Sequence, residues 1–372
     1  MEFTYETSPA RVVFGRGTVR TALPDEIARL GGDRVMVVTG ASHQALAHAS
    51  VEPFADAVVS FFTEVEEHVP VAVAQRAVAR AREARADLLL SIGGGSTTGT
   101  AKIVARELRV PILAVPTTYS GSEATPVWGT TREGRKETGT DPAVRPRTVV
   151  LDPDLTDRLP RDLAVGSGLN ALAHVVEAHW APRANPISSA MADEAMRSLA
   201  TGLRGIGPES LARAQAPEKA LTDPVSVWAG TPTAAGELLL YGAYLAGATF
   251  AATGSGLHHK ICHVLGGAFR LPHAALHAVL LPQVLAFNAP AVPRVAARIA
   301  RALEAEEAVS GLRGLAWAIG APRTLAQIGL LYRQLDEAID RVSAALPIDN
   351  PRPVGKNEIR AILTAAYGED AG

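Results

Sequence analysis

Six of the histidines between residues 174 and 277 have a spacing that points to chemistry. They are His174, His258, His259, His263, His273 and His277. His174 lies four residues after Asn170, and these two side chains therefore share one face of a predicted helix. His263 follows His259 at the same interval, and His273 comes directly after a proline. Imidazoles transfer protons, stabilise oxyanions and bind metals near neutral pH, so the spacing predicts a catalytic histidine cluster.

Asn170 decides what kind of cluster this is. Three imidazoles can hold Fe²⁺ or Zn²⁺, but a carboxylate that offsets the metal charge would strengthen such a site. Asn170 is neutral and its amide oxygen is a weak ligand. The sequence therefore favours a cluster that works without a metal.

A glycine-rich turn in the first half of the chain predicts a phosphate site. Residues 88–99 read LLLSIGGGSTTG, an apolar strand followed by glycines and hydroxyl residues, and residues 100–108 are helical in pattern. Backbone amides free of Cβ atoms and a helix N-terminus are what a pyrophosphate requires. The motif is not G-x-G-x-x-G, and a simple strand-to-helix turn is the alternative. The residues expected at the phosphates are Gly93, Gly94, Gly95, Ser96 and Thr97.

A second polar turn, PTTYSGSE at residues 116–123, follows the next predicted strand. It contributes Thr117, Thr118 and Ser122. Two such turns after consecutive strands are expected to bind one dinucleotide together.

The chain divides into two predicted domains. Over residues 1–156, short β-branched runs at residues 34–39, 58–62, 88–92, 110–115 and 148–151 alternate with helical patterns. This alternation predicts an α/β Rossmann-like dinucleotide-binding domain with a parallel sheet. Residues 157–372 are rich in Ala and Leu with a period near 3.6, which predicts an all-α substrate and catalytic domain. The active site is expected in the cleft between the two domains.

The amino-acid composition limits the classes of partner that are expected. The 372 residues are 47% apolar and 20% charged, with a net charge of -2, so neither nucleic acid nor an anionic membrane is expected. The uncharged run at residues 238–257 is long enough for a membrane span but leads into His258, His259 and Lys260, which favours a buried helix. Cys262 is the single cysteine and residues 1–11 lack a signal-peptide pattern, so a cytoplasmic location is expected.

Taken together, these motifs resemble the iron-containing alcohol dehydrogenase superfamily. The resemblance rests on GGGS at residues 93–96, on PTTYSGSE, and on the spacing of Asn170, His174, His259 and His273. Within the superfamily the chain is similar to the maleylacetate reductase branch. The stretches that carry this are HVP at 68–70, TPVWGTTREGRKETG at 125–139, RTVVLDPDLT at 147–156, GLNALAHVVEAHWAPRANPISS at 168–189 and NPRPV at 350–354.

The resemblance implies a nicotinamide cofactor and a modified metal site. The superfamily binds its metal through an Asp and three His, whose positions here are Asn170, His174, His259 and His273. The Asp is absent, and the branch works without a bound metal. Gly40 stands where the superfamily often has an Asp that rejects a 2′-phosphate, so both NADH and NADPH should be accepted. A homodimer is also implied.

The implied reaction reduces maleylacetate to 3-oxoadipate in the breakdown of aromatic compounds. Hydride adds to an alkene conjugated to a ketone, and the charge appears on the ketone oxygen as an enolate that an imidazole can stabilise. His259 and His263 are expected at this oxygen, with His174 or His273 orienting them or relaying the proton. Residues expected to meet the two substrate carboxylates or to enclose the substrate are Asn170, Lys136, Arg270 and Tyr119, and Lys136 is also a cofactor candidate.

Three other functions fit parts of the pattern. A metal-dependent alcohol dehydrogenase of the same superfamily would use the histidines as ligands. A lyase on the same scaffold, such as an NAD-using sugar-phosphate cyclase, would want more Lys and Arg between residues 168 and 280 than the sequence offers. A dinucleotide sensor without catalysis would not need the clustered histidines.

Overall fold

The computed structural model describes residues 2–5, 10–132, 135–207 and 234–368. These residues form two compact units. The first contains residues 10–132, 135–159 and 234–240, and the second contains residues 2–5, 160–207 and 241–368. The predicted division between residues 156 and 157 stays a prediction.

The first unit is built on a parallel sheet of six strands, in the spatial order β1-β8-β5-β4-β2-β3. A separate antiparallel hairpin is formed by β6 and β7. The strands are β1 (Arg11–Phe14), β2 (Val35–Thr39), β3 (Val58–Phe62), β4 (Leu88–Gly93), β5 (Ile112–Pro116), β6 (Val127–Arg132), β7 (Arg135–Thr140) and β8 (Thr148–Leu151). In register, Thr39 lies beside Ile92, and Gly93 lies beside Pro116. The carboxyl ends of β2, β4 and β5 therefore meet at one edge.

Helices cover both faces of this sheet. They are α1 (Thr18–Leu30), α2 (Gln44–Val51), α3 (Val71–Glu83), α4 (Gly95–Leu108) and the short α5 (Pro153–Thr156). The side chains of α1 and α2 pack with one face of the strands, and those of α3 and α4 pack with the other. Because the central strands are covered on both faces, β2, β4 and β5 are buried throughout.

Two elements of this unit were missed by the sequence reasoning. β1 is a largely exposed edge strand of four residues, too short to show a period. The hairpin strands β6 and β7 carry glycine, threonine and charged residues instead of apolar runs. The helix predicted from Thr100 begins five residues earlier, at Gly95, because Gly94 takes an extended conformation and the hydroxyl residues enter the first turn.

The second unit is helical, as predicted. It contains α6 (Arg161–Ala178), α7 (Pro186–Gly205), most of α8 (Ala234–Thr253), α9 (Leu257–Phe269), α10 (His273–Asn288), α11 (Pro293–Ala302), α12 (Ala308–Ala318), α13 (Leu335–Ser343) and α14 (Lys356–Tyr367). An apolar cluster of this unit is formed mainly by α9, α10, α13 and α14. It fixes the positions of α9 and α10, which carry five of the clustered histidines.

One helix among the described residues has the length and composition of a membrane span. It covers His273–Ala291, and 56% of it is buried inside the structure. A core helix of a folded domain passes the same test, so this is weak evidence for a membrane. The run at residues 238–257 is not such a candidate.

Candidate functional site

The glycine turn after β4 makes a close backbone cradle at the start of α4. Gly93 has φ +154°, a conformation that side chains rarely adopt, and a Cβ added there would lie 2.4 Å from Oγ1 of Thr97. Gly94 is the N-cap residue of α4. The free amides of the first turn and the helix dipole therefore favour an anion at this point.

The second polar turn lies directly against the first. A Cβ on Gly94 would lie 3.0 Å from Thr118, and one on Gly95 would lie 3.1 Å from Ser120. Lys102 of α4 fixes this turn from below, because its buried Nζ donates to the carbonyl oxygens of Ser122 at 2.7 Å and Val127 at 2.8 Å. The sequence reasoning missed Lys102.

A third contact brings in the loop after β2. Nε2 of His43 and Oγ1 of Thr117 are hydrogen-bonded at 3.2 Å. Gly40 precedes His43, and a Cβ at Gly40 would meet nothing within 4 Å. The loops after β2, β4 and β5 thus form one polar surface, with open space at Gly40.

The histidine cluster assembles from three helices of the second unit. His174 lies on α6, His259 and His263 lie on α9, and His273 begins α10. The rings of His174 and His259 stack with centroids 4.8 Å apart, and those of His263 and His273 stack at 6.0 Å. His259 and His263 lie 6.4 Å apart, edge to face. The structure therefore brings together the four histidines for which catalysis was predicted.

Glu177 holds one of these rings in place. It is fully buried on α6, and its Oε2 accepts the Nδ1–H of His259 at 2.5 Å. The carboxylate also accepts the backbone N–H groups of Gly256 at 3.0 Å and His258 at 2.7 Å, so it caps the first turn of α9. Burial alone would raise the pKa of Glu177, but the hydrogen bond and charge of His259 lower it to about 2. Glu177 is therefore an anion at neutral pH.

Two imidazole nitrogens in the cluster stay unsatisfied by protein groups. Nδ1 of His174 and Nε2 of His259 are buried and have no hydrogen-bond partner among the described residues. Burial, and then the neighbouring imidazoles, hold the pKa of His174 well below its usual range, so its ring is neutral. Buried polar atoms without partners are expected where a ligand or substrate binds.

Two further hydrogen bonds join the imidazoles of His258, His277 and His273 in a row. Nε2 of His258 lies 2.8 Å from Nδ1 of His277, and Nε2 of His277 lies 3.2 Å from Nε2 of His273. An orphaned buried N–H is rarer than an orphaned acceptor, and Nδ1 of His258 has no partner among the described residues. This favours proton donation from His258 to His277 and from His277 to His273.

The other residues predicted to bind or enclose the substrate lie in both units. Asn170 is half-buried on the helix that carries His174. Lys136 is exposed on β7, opposite Thr131. Tyr119 is only 1% exposed and is buried in the first unit, and its role in enclosing the substrate stays a prediction. Arg270 is exposed at the C-terminus of α9. Roles for Asn170, Lys136 and Arg270 in substrate binding stay predictions.

Glu177 is the functional residue that the sequence reasoning overlooked. A signal was present, because Glu177 lies three residues after His174 and is the single acidic residue in residues 163–178. Residues three apart lie on nearly the same helix face, so Glu177 could have been placed beside the cluster. Nothing in the sequence alone paired it with His259, which is 82 residues away.

Comparison with known families covers almost the whole chain. The family model described as iron-containing alcohol dehydrogenase matches residues 9–153. The model described as Fe-containing alcohol dehydrogenase family, C-terminal, matches residues 164–367. The two matches fall on the α/β and helical portions.

Individual relatives are similar over their full length. Maleylacetate reductase from Sphingobium indicum is 41% identical and covers 98% of this chain and 97% of its own. Maleylacetate reductase 1 from Rhodococcus opacus is 40% identical and covers 98% of this chain and 96% of its own. The solved structure of maleylacetate reductase from Rhizobium sp. strain MTP-10005 has a TM-score of 0.89 at 40% identity, covering 99% and 98% of the two chains.

Proposed function

The chain belongs to the iron-containing alcohol dehydrogenase family and is an oxidoreductase, and from this premise we propose that it reduces maleylacetate to 3-oxoadipate with NADH or NADPH. The observation that carries the substrate is the similarity to maleylacetate reductases of several bacteria, which extends over nearly the whole chain. Such a reaction belongs to the breakdown of aromatic compounds.

The two polar turns fit a dinucleotide. The amides at Gly93, Gly94 and Gly95 and the N-terminus of α4 would hold the pyrophosphate. A side chain on Gly93 would overlap Thr97, and one on Gly94 or Gly95 would make a tight contact with Thr118 or Ser120. When bound, the reduced nicotinamide supplies the hydride. The open space at Gly40 supports acceptance of a 2′-phosphate there, and hence of both cofactors.

His259 is the residue best placed to handle the ketone oxygen. Its Nδ1–H is held by Glu177, so Nε2 is the nitrogen left for the substrate. When protonated, His259 forms a neutral ion pair with Glu177 and donates Nε2–H to the oxygen on which the enolate charge develops. The same proton is then available for the carbon next to the ketone, which completes the saturated product.

His174 supports this arrangement from the side. Its neutral ring stacks on His259 and adds no positive charge that would compete for the proton. His263, with its ring 6.4 Å from that of His259, is the second residue proposed at the oxygen. Asn170, Lys136 and Arg270 remain our proposed partners for the two substrate carboxylates.

The donor set does not fit the metal that the superfamily implies. Asn170 offers a neutral amide, and Nε2 of His273 is occupied by the hydrogen bond with His277. This leaves the free nitrogens of His174 and His259, two neutral ligands with no anionic partner in direct contact with an ion. We therefore propose that reduction at this site proceeds without a metal.

One assay tests the reaction and the metal question together. The purified protein is mixed with maleylacetate and NADH, and loss of the reduced nicotinamide is followed before and after exhaustive chelation. We expect turnover in both cases. No turnover with maleylacetate would overturn the substrate, and complete loss on chelation that Fe²⁺ or Zn²⁺ restores would overturn metal-free reduction. Equilibrium sedimentation of the same sample tests the homodimer that we also propose.

A further inference from the structure

A second cluster lies beside the histidines already described and is not used by the proposed mechanism. It consists of His258, Cys262 and His277, and we call it the His2Cys cluster. His258 and Cys262 are one turn apart on α9, and His277 lies in the second turn of α10. All three side chains have zero exposure. Among the described residues, these are the His, Cys, Asp and Glu side chains that form a group with ligand atoms within 4.8 Å of one another.

The three ligand atoms are spaced as around a small ion. Sγ of Cys262 lies 3.6 Å from Nε2 of His258 and 3.8 Å from Nδ1 of His277, and the two nitrogens are 2.8 Å apart. A point equidistant from all three lies about 2 Å from each, close to ordinary metal–nitrogen and metal–sulfur bond lengths. The nitrogens would have to separate by roughly 0.5 Å for both lone pairs to face the ion.

One of the two imidazoles, that of His277, has the outer contact of a metal-bound histidine. A metal-bound histidine is usually oriented by a hydrogen bond at its other ring nitrogen. Nε2 of His277 has this contact, at 3.2 Å from Nε2 of His273. The backbone N–H of His258 is fixed by Glu177 at 2.7 Å. Metal binding at Nε2 of His258 would move the ring proton to Nδ1, which is buried and has no partner among the described residues.

The net charge of the three ligands and the softness of the thiolate indicate which metal ion the cluster would bind. A thiolate with two neutral imidazoles carries one negative charge, so a monovalent ion leaves the buried group neutral, whereas a divalent ion leaves a net positive charge in a site closed to water. Thiolate ligands favour soft ions such as Cu(I), and three ligands suffice for it. We propose that the His2Cys cluster binds one Cu(I) ion in a three-coordinate site, with release of the thiol proton.

The test uses the full-length protein under anaerobic, reducing conditions, titrated with Cu(I) against a coloured Cu(I) chelator. We expect one ion per chain that resists the competitor, with a copper–sulfur bond in its X-ray absorption spectrum. Cys262 is the single cysteine of the chain, so this bond can arise from no other residue. Cys262→Ser and His277→Gln should each weaken binding at least tenfold.

His174→Gln is the matched control, because it removes an imidazole of the first cluster and leaves the His2Cys cluster intact. It should keep both the stoichiometry and the copper–sulfur bond. Thermal unfolding of Cys262→Ser, a nearly isosteric change, checks that the variant is folded. No retained copper in the parent protein, equal retention in Cys262→Ser, or a spectrum without sulfur would each overturn the proposal. None of these outcomes depends on the activity with maleylacetate.

Discussion

Glu177 and His259 form a buried pair in which the carboxylate of one helix fixes the ring of another. Nδ1 of His259 lies 2.5 Å from Oε2 of Glu177, and the same carboxylate caps the first turn of α9. A carboxylate that orients an imidazole also stabilises its protonated form. The pair therefore fixes the direction in which Nε2 of His259 faces.

Replacing Glu177 by Gln should lower turnover at least about 100-fold, because the amide cannot stabilise the imidazolium. The KM for NADH should change little, since the cofactor turns lie in the other unit. Steady-state kinetics with varied NADH and varied maleylacetate measures turnover and both KM values. Unchanged turnover would assign Glu177 a packing role only. Glu194→Gln, which removes an exposed carboxylate on α7, is the control.

Replacing His259 by Ala should reduce turnover far more than cofactor affinity. The variant lacks the Nε2 group that we propose at the ketone oxygen, and removal of one such donor typically costs about 100- to 1000-fold in rate. NADH binding, measured by fluorescence titration, should stay within about twofold of the parent, a change in free energy below 1 kcal/mol. Unchanged turnover would remove His259 from the mechanism.

The fold was largely predictable from sequence, and the reasons are local. The sheet strands β2 to β5 and β8 consist largely of apolar residues, and their predicted bounds differ from the observed ones by at most two residues at either end. The spacing of the histidines likewise predicted which helix faces they share. β1 and the hairpin were missed because exposed or glycine-rich strands carry no apolar period.

The partners within the site were not predictable in the same way. Glu177 meets His259, and His258 meets His277, only because α6, α9 and α10 pack together. Sequence spacing gives the face of a helix, whereas tertiary packing decides what that face touches.

Gly40 gives a prediction for cofactor choice. The parent protein should use NADPH within about tenfold of NADH in kcat/KM, since no carboxylate stands at this position to repel a 2′-phosphate. Gly40→Asp should keep NADH turnover and lower kcat/KM for NADPH by at least about tenfold, through charge repulsion. Gly40→Asn separates charge from size and should retain NADPH use. Strict NADH dependence of the parent would show that another residue sets the preference.

Asn170 and His277 together should control metal affinity at the catalytic histidines. Asn170→Asp restores an anionic ligand and should increase Zn²⁺ affinity. The gain should be larger in Asn170→Asp combined with His277→Ala, because loss of His277 removes its hydrogen bond to Nε2 of His273. Isothermal titration with Zn²⁺ measures both variants, with His277→Ala alone as the control. Equal affinity of the parent and both Asp variants would contradict the assignment of these positions.

As the pH is lowered, the free energy of unfolding should begin to fall at a higher pH than protonation of carboxylates alone would cause. Burial lowers the pKa of His258 to about 3 and holds those of His174 and His277 well below their usual range. The unfolded chain binds protons at these residues below about pH 6.5 and the folded chain does not, so stability falls as pH drops through that value. Each histidine contributes a slope of up to about 1.4 kcal/mol per pH unit. Urea unfolding at pH 7.5, 6.5 and 5.5 measures the effect, and a stability that is flat between pH 7.5 and 5.5 would show that these rings are not held neutral.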